Sequence, residues 1–134
     1  MNVPLIAAGS LAILGAVIHG VGGEVLVVRK LSPEMLPSSR FGSARTTQTM
    51  IHVTWHMTTI AFVTVGCALL LSGSVLHGDS ARAIALVAAA ASTGFAVLAV
   101  VLGGAYRHFP RSLLSHPAPV VLTATAALAW WGAL

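Results

Sequence analysis

Residues 46–72 read TTQTMIHVTWHMTTIAFVTVGCALLLS, a run without a single Asp, Glu, Lys or Arg. At about 1.5 Å per residue, roughly 20 mostly apolar residues are enough to cross a bilayer's hydrocarbon core. The stretch therefore predicts a membrane-spanning helix, and the rest of the chain repeats the pattern. The predicted spans are four, at about 3–28, 46–72, 81–105 and 117–134. The breaks between them are short and polar: Arg29–Arg45 with Pro33, Pro37 and Gly42, Ser72–Ser80, and Tyr106–His116 with Pro110. Short connections make consecutive helices antiparallel neighbours, so the expected fold is all-α. It is one integral-membrane domain over 1–134, a four-helix bundle running up-down-up-down.

Composition agrees with that reading. Of the 134 residues 57% are hydrophobic and 7% charged, whereas a soluble domain carries about a quarter charged residues. A soluble enzyme, a DNA-binding domain and a disordered tail are excluded on that ground. Seven Lys and Arg against three acids give a formal charge of +4, and their distribution sets an orientation. Arg29, Lys30, Arg40 and Arg45 lie in the first loop and Arg107 and Arg111 in the third, whereas the second has only Arg82, offset by Asp79. The positive-inside rule places loops one and three in the cytoplasm and both termini outside. The expected location is the cell membrane, as a multi-pass protein. The same charges are accounted for by orientation and anionic lipid, so nucleic acid is not an expected partner.

The first span lacks a basic leading region and is about twice as long as the apolar part of a cleaved signal peptide. Trp130 and Trp131 suit an aromatic anchor at the outer interface. Cys67, the only cysteine, excludes an intrachain disulfide and a cysteine-based zinc motif. Ala8, Ala12, Ala16 and Gly20 recur at four-residue spacing on the first helix, as do Ala81, Ala85, Ala89 and Thr93 on the third. Such small-residue stripes let helices pack closely, within the bundle or in a homo-oligomer.

The candidate chemistry lies in ionisable residues that the spans carry into lipid, where each polar group has a desolvation cost and marks a functional site by default. His19 and Glu24 fall in the first span, His52 and His56 in the second. Counted from the cytoplasmic ends, His19 is about 13 Å deep and Glu24 about 6 Å, with His56 at about 15 Å and His52 at about 9 Å. Antiparallel helices would thus pair His19 with His56 near the midplane and Glu24 with His52 below. Thr49, His52, His56 and Thr59 follow the i, i+3, i+7, i+10 pattern of one helix face. In a regular helix His19 and Glu24 stand about 140° apart. Gly22 and Gly23 are the residues able to change that angle. Trp55, on another face, is expected to face lipid or to pack. His108 and His116 flank the third loop on the same cytoplasmic side, while His77 in the outer loop is expected to be solvated.

Imidazole and carboxylate together suit iron, copper or zinc. The expected function is therefore a histidine-rich transition-metal or haem site in the cytoplasmic half of the bundle, used for redox chemistry or metal handling. Its candidate ligands are His19, Glu24, His52, His56, His108 and His116. In the haem form, His19 and His56 are axial ligands to haem b, and Arg107, Arg111 or Arg45 pairs the propionates. That form would make the chain a haem-dependent membrane oxidoreductase. In the non-haem form the ligands hold one or two metal ions, and a lipid, a quinone or a metal ion is the substrate.

A third form has no metal. Glu24, in the first span like the single membrane glutamate of small four-span drug exporters, exchanges a proton against a cationic substrate. The histidine pattern is not that of the exporters. The plainest alternatives are a structural or accessory membrane subunit, with histidines acting as interhelical hydrogen-bond partners of about 0.6–2 kcal/mol, and a Glu24 that only pairs a basic residue of the first loop. Glycine-rich phosphate loops and the H-E-x-x-H, G-x-S-x-G and C-x-x-C motifs are absent, so any substrate must bind among the helices or at the cytoplasmic surface.

Overall fold

A computed structural model describes residues 1–40, 42–104 and 117–134, and these are all helical or connecting. Helix α1 covers Val3–Val17 and continues through a π-helical turn, Ile18–Gly22, into the single α-helical turn α2, Gly23–Leu26. Two 3-10 turns follow, Val28–Lys30 and Pro33–Met35. Then come α3, Ala44–Ser74, α4, Gly78–Gly104, and α5, Ala118–Ala133. Three segments are long and apolar enough to cross a membrane: Val3–Lys30, Ala44–Ser74 and Gly78–Leu102. The 16 residues of α5 reach about 24 Å, less than the roughly 30 Å of a hydrocarbon core. The predicted fourth span is thus apolar but short.

Helix α3 starts before the predicted Thr46 and runs past Ser72, with hydroxyls near both of its ends bonded back to its own carbonyls. The Thr49 and Ser74 hydroxyls donate to the carbonyls of Arg45 and Leu70, four residues back. Such back-bonding keeps a hydroxyl compatible with a helix interior. The reversal falls at Gly78, whose φ of +64° is readily adopted without a Cβ.

The chain divides into two compact units, Met1–Gly15 with Val63–Leu134, and Ala16–Phe62. In the first unit the core is built around Leu5, Ala8, Leu69, Ala85, Ala88, Ala89, Ala129 and Ala133. Leu69 is its largest fully buried side chain. The two stripes contribute Ala8, Ala85 and Ala89 to it. Asn2 ties three helices together: its side chain accepts from the Leu5 N–H at the start of α1 and donates to the Gly132 carbonyl, and its backbone N–H donates to Gly73. Trp130 turns its indole N–H to the Thr93 hydroxyl at 2.9 Å, leaving Trp131 as the exposed member of the tryptophan pair. Around the alanines the exposed positions are large and apolar, among them Val87, Val97, Val101, Val120 and Trp131. Small residues inside let the helix backbones approach closely.

In the second unit the segment leaving α1 runs against the first half of α3 in the opposite direction. His19 meets Phe62 and Trp55, Glu24 meets His56 and His52, and the Leu31 carbonyl accepts from Gln48. The site is in this unit.

Candidate metal centre

The segment His19–Glu24, HGVGGE, has glycine at three of its four inner positions. The Gly23 N–H points to the carbonyls of Ile18, His19 and Gly20. Its reach to Ile18, five residues back, defines the π turn, a geometry found mostly as single turns within α-helices and often at functional sites. The turn holds one residue more than an α-helical one, so it carries Glu24 less far round the axis. His19 and Glu24 therefore both face α3 despite their spacing.

Glycine also lets the two backbones approach. A Cβ at Gly20 would lie 2.7 Å from Thr59 Cγ2, and one at Gly23 only 2.2 Å from Trp55 Cζ2. Trp55 fills that space, donating its indole N–H to the His19 carbonyl at 3.0 Å and meeting the His19 ring edge-on, with centroids 4.3 Å apart. Of the two roles expected for Trp55, packing is the one observed. Phe62 lies at 5.4 Å on the same imidazole.

On either side of Trp55 in the chain, His52 and His56 stand at i, i+4 on α3 with ring centroids 5.1 Å apart. Both direct Nε2 at the same atom, Glu24 Oε2, at 3.1 Å and 3.2 Å. The other carboxylate oxygen, Oε1, accepts from Arg29 Nε at 3.2 Å. Glu24 is 13% exposed, whereas His52 and His56 are 50% and 44% exposed, so the carboxylate is enclosed and the imidazoles open onto the surface.

Among the described residues, Glu24, His52 and His56 form a group whose ligand atoms all lie within 4.8 Å of one another. A zinc ion about 2.0–2.1 Å from each donor, with tetrahedral angles, requires donors about 3.3 Å apart. Both Glu24–histidine separations are within a few tenths of an ångström of that figure. They are hydrogen-bond distances as well, so the three side chains hold one another in place while presenting a ligand set.

The expected levels are rearranged. Glu24 serves both His52 and His56, and His19 packs against Trp55 and Phe62 and is not a member of the ligand group. Arg45 is exposed in the first turn of α3. His108, His116, Arg107 and Arg111 lie outside the described residues. The pairing of Glu24 with a first-loop base, weighed from sequence as a purely structural role, is present as Arg29 and coexists with the histidines. The π turn and the inward Trp55 escape a reading by regular helical angles. The glycine trio was their only signal. No protein-family model, curated protein or solved structure matches the chain.

Proposed function

We propose that the chain is a multi-pass membrane protein that binds one divalent transition-metal ion through Glu24, His52 and His56. The convergence of one carboxylate oxygen and two imidazole nitrogens from two different helical segments carries this reading. Two histidines and one carboxylate suit zinc, and equally the iron(II) sites that keep coordination positions open. Three protein ligands leave room for an exogenous donor, as in catalytic rather than structural sites. The open imidazole side gives that donor a way in. With loops one and three cytoplasmic, the ion binds in the cytoplasmic half of an up-down-up-down bundle with both termini outside. Its role is metal handling or metal-dependent chemistry on a substrate that reaches the site from that side.

Metal content per chain, measured by mass spectrometry on tag-free protein from metal-replete cells, tests the proposal. Near-stoichiometric metal that disappears in a His52→Ala/His56→Ala double variant of unchanged helicity is expected. Equal content in both proteins, or none in either, contradicts it. A second reading, favoured by two imidazoles sharing one carboxylate oxygen, is proton exchange at Glu24 coupled to movement of a cation. It requires transport that stops in Glu24→Gln.

A further inference from the structure

We infer that Arg29 is the positioning residue of this centre: its hold on Oε1 commits Glu24 to bind the ion through Oε2 alone. The inference rests on the metal site proposed above and adds how the ion is held. Glu24 divides its two oxygens cleanly, with Arg29 Nε on Oε1 at 3.2 Å and both histidines on Oε2. Glu24 is 13% exposed and Arg29 70%, so the guanidinium covers Oε1 from the solvent side while the histidines hold Oε2. Arg29 reaches back because the helix breaks at Val27, with φ −124° and ψ −65°, and continues as the 3-10 turn Val28–Lys30. A charge-assisted hydrogen bond to one oxygen fixes the carboxylate plane and puts a positive charge on the side away from the ion. Freed of it, the carboxylate can turn and grip a divalent ion through both oxygens.

The test uses the full-length protein in detergent, loaded with zinc alone. The separation between antisymmetric and symmetric carboxylate stretches is wide for one-oxygen binding and narrow for two-oxygen binding. It is read from the zinc-loaded minus zinc-stripped infrared difference. Glu24 and Glu34 are the only glutamates, so ¹³C-glutamate labelling in a Glu34→Gln background assigns the bands to Glu24. The wild-type chain is expected to show the wide separation, Arg29→Met the narrow one with zinc still bound, and Arg29→Lys the wide one again. A narrow separation in the wild-type chain overturns the inference whatever the variants do. So does a wide separation in zinc-loaded Arg29→Met. In both cases the three-ligand site stands. Zinc absent from the wild-type chain by mass spectrometry overturns the site itself, and with it the role of Arg29.

Discussion

Glu24 is enclosed among three cationic or hydrogen-bonding partners, and removing its charge separates its two roles. Glu24→Gln keeps the shape and leaves Arg29 without an anion. Loss of even an outer partner of a metal ligand costs about 10–100-fold in affinity, so zinc affinity measured by chelator competition should fall at least about tenfold. Unchanged affinity would remove Glu24 from the ligand set. Glycine 23 supports the site sterically. Gly23→Ala places a methyl 2.2 Å from the Trp55 ring, and the rearrangement should cost about 1–3 kcal/mol. At Gly94, also in a helix, nothing lies within 4 Å of the added Cβ. Gly94→Ala should therefore be neutral or stabilise by up to about 1 kcal/mol. Denaturant unfolding of the two variants in micelles compares them, and equal stabilities would contradict close packing of Trp55 on the glycine. The sequence made the ionisable residues visible because charge inside an apolar span stands out. It did not make Trp55's direction visible, because an indole suits lipid and packing equally.

At the scale of elements, the π turn aligns Glu24 with His19. Because an i→i−5 turn contains one residue beyond a regular helix, deleting Val21, whose side chain is 65% exposed, should leave an ordinary α-helix with both faces preserved. Zinc stoichiometry should survive that deletion. In an already regular helix the same deletion would rotate Glu24 by about 100° and abolish binding, which would contradict the π turn. The long helices were legible from apolar length alone, since few other structures satisfy backbone groups in lipid. Their ends were less so, because threonine and serine look like breakers in sequence yet bond back to their own helix near its ends at Thr49 and Ser74. The 140° separation assumed a regular helix, and the glycines signalled a distortion without giving its sense.

At the scale of the molecule, alanine forms most of the buried core and larger apolar side chains face outward. That inversion of a soluble protein's pattern follows from the 7% charged composition. The orientation proposed from the basic loops gives a prediction independent of any metal. In a Cys67→Ser background, a cysteine at Ser80 should react with a membrane-impermeant thiol reagent on intact cells. One at Ser38 should react only after permeabilisation. Both positions reacting from one side would contradict a membrane-spanning α3, and the reverse pattern would invert the bundle.

The most direct test of the central claim is X-ray absorption at the edge of the bound metal, zinc or iron, in the full-length chain. Two imidazoles, recognised by their outer-shell scattering, with the remaining donors light atoms at about 2.0–2.2 Å, are the expected result. In His52→Ala/His56→Ala the imidazole scattering should be absent. A shell without imidazole in the wild-type chain, or one unchanged in the double variant, would contradict a centre built from Glu24, His52 and His56.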